Sequence, residues 1–507
     1  MKRSSIAAAV VALVIGALVP SVASAQNPNN TTRLQNAVKV SDILVHERAL
    51  AGIAQRNGGT RASGTPGFER SSEYVAGVLR DAGYEVTVQP FDFPFFTENA
   101  PATFARVSPD PRTYADTDFA TMTYSGSGDV TGAIQPVDLQ LPPAPEPGST
   151  SGCEPEDFAG FTAGSVALLQ RGTCTFEIKA TNAQHAGASA VIIFNEGQEG
   201  RTETLEGTLG HPSFTIPVIG TSFEIGNELA TQAAAGEVTV HITTDTTSET
   251  RQTSNLIAET AGGRADHTVV VGAHLDSVPE GPGINDDGSG TATQLAVAVA
   301  MAKRNIAPLN KVRFAWWGAE EEGLVGSTLY VNQLTQAQKD AIGLMLDFDM
   351  LASPNFVRFV YDGDASDNPD LDPGPVGSDV IEARFRRFFA ARGLPVESTP
   401  FDGRSDYQAF INSGIPAGGL FTGAEEVKTP EQAAIFGGTA GLAFDSCYHQ
   451  ACDDLSNLNL QVLDEMSDAV ADSVGYFAQR RAPLADPSPT AQARVRTTTF
   501  SGDAAQQ

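Results

Sequence analysis

The chain of 507 residues is long enough for two or three domains, and 41% of its residues are hydrophobic, which can fill sizeable cores. Its formal net charge of −29 argues against partners that are themselves anionic, so neither nucleic acid nor an acidic membrane surface is expected to bind it. The acidity otherwise indicates only a soluble, well-solvated surface.

The N-terminal segment has the three parts of a secretory signal peptide. A positive start, MKRSS, precedes the apolar run IAAAVVALVIGALVP and the small-residue sequence ASAQ, which predicts cleavage between Ala25 and Gln26. A membrane anchor is the alternative, but this run is shorter than the ~20 residues that a spanning helix needs. No later segment of the sequence is apolar enough to span. We therefore expect a secreted, extracellular protein with no membrane partner.

Helices and strands are predicted to alternate along the mature chain. A helical pattern runs from about Asp42 to Ala54, and residues 68–91 read as a helix, a glycine stop and a strand. From about residue 97 to 151 the composition shifts to Pro, Asp, Ser and Gly with short strand-like pieces. Residues 158–243 then read as a small α/β unit of their own.

The four cysteines are predicted to form disulfides, because an even number is typical of a chain in an oxidising compartment. Cys447 and Cys452 are close enough to clip a short loop, which leaves Cys153 and Cys174 as the other pair. A zinc site of four cysteines is the alternative. Their wide separation and the lack of any C-x-x-C pair argue against it.

The α/β alternation resumes after residue 250. Four segments read as strands, and they are HTVVVGAHLD, KVRFAWWGAEE, GLMLDFDM and GIPAGGLFTG. Three segments between or after them read as helices, and they are SGTATQLAVAVAMAKRN, GSDVIEARFRRFFAARG and LQVLDEMSDAVADSVGYFAQR. This pattern predicts an α/β three-layer sandwich, in which helices cover both faces of a mostly parallel mixed sheet, with a smaller α/β domain inserted.

Three predicted strands end in acidic or imidazole side chains, and the residues concerned are His274 and Asp276, Glu320 and Glu321, and Asp347 and Asp349. In an open α/β sheet such strand ends meet at one rim, where ligands bind. One acidic ending is common on a solvated surface, but several like charges in one site are unfavourable without a cation. Histidine with several carboxylates is a ligand set that suits zinc.

Two loops are predicted to complete this metal site. The glycines of AHLDSVPEGPGINDDGSG, residues 273–290, let the backbone turn sharply and bring Asp286 to the rim. CYHQACDD supplies a second imidazole, that of His449. The remaining histidines lack comparable acidic neighbours, so we expect none of them to bind metal, and they are His46, His185, His211, His241 and His267.

Six motifs together resemble the secreted co-catalytic di-zinc aminopeptidases of metallopeptidase family twenty-eight, which are leucine aminopeptidase-like. They occur in the family's order, and they are GAHLDSVPEGPGINDDGSG, RFAWWGAEEEGLVGS, DFDM, DGRSDYQAF, GGLFTGA and FDSCYHQACDDLSN. The resemblance covers about residues 40–112 and 250–480. Between these parts, LLQRGTCTFEIKATNAQHAGASAVIIFN and IPVIG resemble the protease-associated (PA) domain, which implies a lid or a docking surface without catalytic residues.

These resemblances predict how the chain is divided. The predicted segments are a signal peptide over 1–25, the first part of the catalytic peptidase domain over 34–114, an inserted PA-like domain over 115–245, the second part of the peptidase domain over 250–482, and a disordered tail over 483–507.

The resemblance also implies a ligand set for two zinc ions. Asp286 matches the carboxylate that bridges the ions, and His274 and His449 match one ligand of each ion. Glu321 and Asp349 match the remaining ligands, again one for each ion. Asp287 and Glu322 are neighbours that could exchange roles with Asp286 and Glu321, but the family's motif frame favours the assignment given.

Other matching positions are implied to act on the substrate or on a ligand. Glu320 matches the general base, and Tyr448 matches the residue that steadies the oxyanion. Asp276 would orient the imidazole of His274 from behind. Gly403 and Arg404 in DGRSD match the substrate end of the site.

Two further positions depart from the family's pattern. Tyr407 stands where related sequences can carry histidine, which puts the surroundings of the ligands in question but not the ligands. The family's calcium site would use Asp464 and Asp468, but the aligned N-terminal position is Asn36. Calcium and a pair of solvated helix acids therefore both stay open.

The implied activity is hydrolysis of the N-terminal peptide bond of peptides and proteins with a free N-terminus, by a monomer that favours large apolar residues such as Leu. A zinc carboxypeptidase of the same fold is an alternative, since the ligands do not distinguish the two. A glutaminyl cyclase is another, although it needs only one metal. A catalytically dead PA-domain binding protein is the non-enzyme alternative. Such a protein is expected to lack some of the metal ligands, but all five ligand positions are intact in this sequence.

Overall fold

The structure is a computed structural model that describes residues 29–482 and residue 484. The predicted signal peptide and all but one residue of the predicted tail therefore lie outside the described residues. The helices are α1 Asn29–Gln35, α2 Val40–Arg56, α3 Pro66–Asp81, α4 Phe176–His185, α5 Phe223–Ala235, α6 Gly288–Lys303, α7 Val325–Gln333, α8 Gln336–Asp340, α9 Ser378–Ala390, α10 Tyr407–Asn412, α11 Pro430–Phe436 and α12 Leu460–Gln479.

The strands extend from the larger α/β unit through the inserted unit and back. They are β1 Glu85–Ser108, β2 Arg112–Thr113, β3 Phe119–Thr121, β4 Gly128–Pro136, β5 Val166–Gln170, β6 Ala190–Phe194, β7 Val218–Thr221, β8 Thr239–Glu259, β9 Arg264–His274, β10 Asn310–Trp317, β11 Ile342–Phe348, β12 Phe359–Tyr361, β13 Glu397–Thr399 and β14 Ala417–Phe421.

The larger sheet is mixed and mostly parallel, which confirms the predicted fold class. Its strand order is β13-β12-β14-β11-β9-β10-β8, with β1 against β8. The central strands β10, β9, β11 and β14 run parallel to their neighbours in this group. The register places Trp317 beside His274 and Asp347 beside Gly272, so the ends of β9, β10 and β11 meet at one edge.

Helices cover both faces of this sheet. Val269 and Val271 of β9 point into a core that includes side chains of α2, α3, α6, α9 and α12. Val270, between them, points into a second core that includes side chains of α7 and α10. Since successive side chains of a strand point to opposite faces, a continuous apolar run such as this requires cover on both sides.

The strands that join the two domains are longer than the sequence predicts. β1 and β8 form an antiparallel ribbon of 24 and 21 residues, where only short strand-like pieces are expected beyond residue 97. Pro94 and Pro101 weaken the strand signal in the sequence. An outer strand tolerates proline because it needs hydrogen-bond donors on one side only. Helix α1 is also additional, since the first helical pattern predicted after the signal peptide begins at about Asp42.

In the inserted unit the sheet continues from β8 through β4, in the order β8-β4-β5-β6-β7-β3. Two apolar clusters built from residues between Phe104 and Ile242 pack on its faces, one including side chains of α5 and the other side chains of α4. Within residues 29–482, no helix combines the length and the apolar character needed to cross a bilayer.

Candidate metal centre

The predicted ligands lie at the edge where the parallel strands end. His274 is the last residue of β9, Glu320 and Glu321 follow β10 after two residues, and Asp349 directly follows β11. Asp286 reaches the same edge from the loop before α6. Because these strands are neighbours in register, the fold delivers their side chains to one place.

Asp286 lies between two groups of potential ligands. Its Oδ1 is 3.0 Å from Nε2 of His274, and the same Nε2 is 3.6 Å from Oδ1 of Asp349. Its Oδ2 is 3.3 Å from Nε2 of His449, and that Nε2 is 3.1 Å from Oε2 of Glu321. Each carboxylate oxygen of Asp286 therefore lies near one histidine, and each of these histidines lies near one further acid, an arrangement that suits a bridging ligand.

This donor set fits divalent metal. The potential ligand atoms of His274, Asp286 and Glu321 lie within 4.8 Å of one another, as do those of His274, Asp287 and Asp349. Among the described residues, Oδ1 of Asp349 and Oε1 of Glu321 are buried without a hydrogen-bond partner. Buried carboxylate oxygens that lack a donor are costly unless a cation neutralises them, and nitrogen with oxygen ligands suits zinc.

The electrostatics of the cluster point the same way. Burial raises the pKa of Glu320 well above its usual value, and nearby carboxylates add to this shift. Burial and then the charge of Asp286 raise the pKa of Glu321 to about 7. Burial alone would lower the pKa of His449, but hydrogen bonds with Asp286 and Glu321 raise it to about 10. Buried carboxylates therefore outnumber the imidazoles, and a divalent cation offsets this excess.

Backbone donors distinguish Asp286 from its neighbour Asp287. The oxygens of Asp287 accept hydrogen bonds from the backbone N–H groups of His274, Gly290 and Met350, so this side chain joins β9, α6 and the end of β11. Because both oxygens of Asp287 already accept backbone hydrogen bonds, Asp286 is favoured over Asp287 as the bridging ligand.

Residues 273–290 form the metal loop, and neighbouring atoms lie too close to two of its glycines for any side chain to fit. Gly283 has φ +58°, and a Cβ there would overlap the carbonyl of Asp286 and the side chain of Ser277. A Cβ at Gly290 would overlap the carbonyl of Phe348, where α6 meets β11. The loop can therefore bring Asp286 to the strand ends only with glycine at these positions.

Glu320 lies beside the predicted ligands, further from His274 than Asp286 does. Its Oε2 is 4.0 Å from Nε2 of His274, and only 8% of the residue is exposed. Its backbone N–H donates to Oδ1 of Asp276 at 3.3 Å, and the same Oδ1 lies 3.7 Å from Nδ1 of His274. Asp276 therefore connects the predicted general base with a predicted ligand.

The predicted substrate-end residues form a second cluster beside His449. The ring of Tyr448 stacks on that of His449 with centroids 3.8 Å apart. Arg404 donates from Nη2 to the Tyr448 hydroxyl at 3.3 Å and pairs with Glu425 at 2.9 Å. The N–H of Gly403, the residue before Arg404, donates to the hydroxyl of Tyr407 instead of to Tyr448.

Tyr407 supports the substrate-end loop rather than the ligands. Its ring is fully buried, and its hydroxyl donates to Oδ1 of Asp402 at 2.8 Å. The hydroxyl of this tyrosine therefore holds Asp402 and Gly403 of the substrate-end loop.

Several residues that the sequence does not single out hold the ligands in place. Oδ1 and Oδ2 of Asp453 accept hydrogen bonds from the backbone N–H groups of Asn285 and Asp286 at 2.9 and 3.0 Å. Asp445 accepts from the Asn285 side chain at 2.7 Å and from the N–H of Cys447 at 2.8 Å. These two acids connect the loop that carries Asp286 with the segment that carries His449.

Ser405 provides a similar link on the other side of the cluster. Its hydroxyl lies 2.8 Å from Oδ2 of Asp349 and 2.7 Å from Oδ2 of Asp347. The motif DGRSD contains this serine, but its spacing in the sequence gives no sign of a contact with the end of β11.

Both predicted disulfides are present. Cys447–Cys452 closes a loop that contains Tyr448 and His449, with a sequence separation of 5 residues. Cys153–Cys174 lies in the inserted unit with a separation of 21 residues. A closed short loop limits the backbone positions open to His449, whose side chain is 41% exposed.

The predicted calcium ligands lie on α12, among residues of both charge signs. Burial and the charge of Asp464 raise the pKa of Asp468, while Arg392 and Lys39 act to lower it. Cationic side chains thus share the surroundings of this acidic pair.

Comparison with known proteins identifies the family. Residues 255–474 match the model of Peptidase family M28, and residues 137–229 match that of the PA domain. An aminopeptidase of Pseudomonas aeruginosa is 48% identical over 86% of this chain and 81% of its own length. Leucine aminopeptidase 2 of Trichophyton equinum is 39% identical over 88% of this chain and 86% of its own length.

Solved structures agree on the fold. An aminopeptidase from Aneurinibacillus sp. strain AM-1 superposes with a TM-score of 0.63 at 25% identity, covering 88% of this chain and 95% of that one. A zinc aminopeptidase from Bacillus subtilis gives 0.55 at 22% identity, covering 86% and 94%. With both matched regions and relatives of this similarity, the chain belongs to Peptidase family M28 and is a metalloaminopeptidase that carries a PA domain.

Proposed function

We propose that this protein is a secreted, monomeric di-zinc aminopeptidase that favours large apolar N-terminal residues such as Leu. The observation that carries the proposal is the position of Asp286, whose two oxygens each lie near one histidine, with a further acid beside each histidine. His274, Asp286 and Asp349 would hold one ion, and His449, Asp286 and Glu321 the other. The name of the Trichophyton equinum relative supports the preference for Leu.

Two disulfides and the absence of a membrane-spanning helix among residues 29–482 are compatible with secretion. We propose the division into peptidase segments 34–114 and 250–482 around a PA-like domain over 115–245, which contains the matched residues 137–229. Calcium is left out of the proposal because of the cations near Asp468.

Zinc, when bound, supplies Lewis-acid chemistry that acidifies water and polarises a carbonyl. Glu320 then takes the proton of the attacking water and delivers it to the leaving amine. Its position next to His274, without a shared ligand contact, leaves its carboxylate free for that transfer. Asp276 fixes the backbone of Glu320 and stands behind the imidazole of His274.

Tyr448 stabilises the negative charge that develops on the scissile carbonyl oxygen. Its hydroxyl oxygen accepts a hydrogen bond from Arg404, so its own proton stays available for donation to the substrate. A substrate α-ammonium group would lie near Glu320 and Asp349, whose negative charges favour a free N-terminus. This arrangement limits cleavage to the first peptide bond.

A panel of small substrates tests the proposal. We expect rapid hydrolysis of a leucine anilide, no hydrolysis of its N-acetyl form, and loss of activity when a chelator removes zinc. Cleavage of N-acetyl peptides with a free C-terminus would instead support a carboxypeptidase. Release of ammonia from an N-terminal glutamine peptide would support a glutaminyl cyclase, and no turnover of any substrate would support a binding protein.

The two disulfides provide a matched pair for testing how His449 is held. Replacing both Cys447 and Cys452 by serine is expected to lower activity and zinc affinity, because small displacements of a ligand and of Tyr448 are costly. The chain-entropy contribution to stability is about 2 kcal/mol for this short loop and about 3 kcal/mol for the loop closed by Cys153–Cys174.

The control is the double serine variant of Cys153 and Cys174, measured by zinc titration, leucine anilide turnover and melting temperature. It should lose more thermal stability than the first variant while keeping zinc affinity and turnover. Equal zinc affinity in the two variants would show that the Cys447–Cys452 bridge is only structural.

A further inference from the structure

Arg61 is a fully buried cation that lies outside the residues matched to Peptidase family M28, in the loop between α2 and α3. A buried guanidinium is expensive unless its donors and its charge are matched. Its three guanidinium nitrogens all donate to the loop that separates His274 from Asp286. The contacts of Arg61 therefore connect it with the segment that carries two predicted ligands.

The guanidinium donates hydrogen bonds to both ends of the metal loop. Nη1 donates to the carbonyl of Leu275, directly after His274. Nη2 donates to the carbonyl of Gly283, three residues before Asp286, and Nε donates to the carbonyl of Pro282 at 2.8 Å. One rigid, planar group thus joins the start of the loop to its end.

Two further hydrogen bonds attach Arg61 and its neighbour Thr60 to the middle of the same loop. The N–H of Arg61 donates to the hydroxyl of Ser277 at 3.0 Å, and the hydroxyl of Thr60 donates to the carbonyl of Val278 at 2.8 Å. The hydroxyl of Ser277 in turn donates to the carbonyl of Gly281 at 2.9 Å. The middle of the loop is therefore attached to Arg61, as its ends are, and also to Thr60.

Acidic side chains surround the guanidinium, and they are Glu47, Asp276, Asp287 and Asp453. Asp276 and Asp287 contact His274, and Asp453 holds the backbone of Asp286. The positive charge of Arg61 thus lies behind the ligands, among the acids that support them.

We propose that Arg61 is a positioning residue of the metal centre, which sets the separation of His274 and Asp286 by holding together the two ends of loop 275–283. The inference rests on the proposed di-zinc function, because these two side chains must share one ion for it to matter. The hydrogen bonds, rather than the charge, carry the effect. The charge alone repels a zinc ion, so removing it would favour binding.

Arg61→Lys separates these two contributions. Lysine keeps the positive charge but has one nitrogen, which cannot reach Leu275 and Gly283 as the forked guanidinium does. Zinc affinity of the Arg61→Lys variant, measured by competition with a chelating dye, is expected to fall by about 10–100-fold, as for other groups that orient ligands from behind. Arg61→Met should also lose affinity, because misplaced ligands outweigh the repulsion that is removed.

Arg358→Met is the matched control, since Arg358 is also a buried arginine but contacts Glu465 and the ring of Phe356. It should lower the unfolding midpoint of the metal-free protein and leave zinc affinity unchanged. If Arg61→Lys folds and binds zinc as tightly as the wild type, the inference is overturned and the proposed function stands. If the wild type binds no zinc in the same titration, both fail. Should Arg61→Met not fold, Arg61→Lys alone decides.

Discussion

Replacing Glu320 by glutamine is expected to lower kcat for leucine anilide by about 10²–10⁴-fold, the usual contribution of a general acid–base residue. Glutamine has nearly the same shape but cannot take a proton from water. Zinc content should stay at the wild-type level, because Glu320 lies 4.0 Å from Nε2 of His274, further than the proposed ligands Asp286 at 3.0 Å and Asp349 at 3.6 Å. Steady-state kinetics and metal analysis of one preparation measure both quantities.

Glu322→Gln is the control for this variant, since Glu322 lies two residues further along the same segment and contributes no ligand contact to Asp286 or His449. It should keep most of the turnover. An unchanged kcat in Glu320→Gln would remove Glu320 from the mechanism. A large loss in Glu322→Gln with little loss in Glu320→Gln would exchange their roles.

Replacing Asp286 by asparagine is expected to affect both ions at once. One carboxylate oxygen of residue 286 becomes an NH₂ group that cannot bind a cation. The ion held with His274 or the ion held with His449 then loses the ligand that the two ions share. The loss in kcat/KM should exceed the roughly 100-fold that is the upper range for removing a group behind a ligand. Zinc content should fall by at least one ion per chain.

Asp454→Asn is the control for this change, because Asp454 is an exposed acid that accepts hydrogen bonds only locally, from Ser456 and the backbone nearby. It should have wild-type zinc content and activity. Wild-type zinc content in Asp286→Asn would contradict the bridging role, and Asp287, whose atoms also lie near His274 and Asp349, would be the next candidate.

The sequence predicts the sheet and its functional edge because these depend on local patterns. Apolar runs such as VVVGAH and FAWW predict buried strands, and the polar residues that follow them must lie where parallel strands end. The prediction that His274 and the acids after β10 and β11 lie together follows from strand order alone. The cysteine pairing also follows from spacing, and both bridges are present.

The supporting residues could not be predicted in the same way. Arg61 is 214 residues from Leu275 in the sequence, and Asp453 is 167 residues from Asp286. An arginine in a polar loop and an acid after a cysteine both have the pattern of solvated surface residues. Only the packing of the α2–α3 loop and the segment 445–457 against loop 275–286 gives these side chains a role.

We propose that two metal ions share Asp286, and stepwise zinc loading of the metal-free protein tests this claim. Zinc bound per chain and leucine anilide turnover are measured at each addition. We expect turnover to reach its full value only when two zinc ions are bound per chain. Full turnover with a single bound ion, and no further gain on adding a second, would contradict the claim.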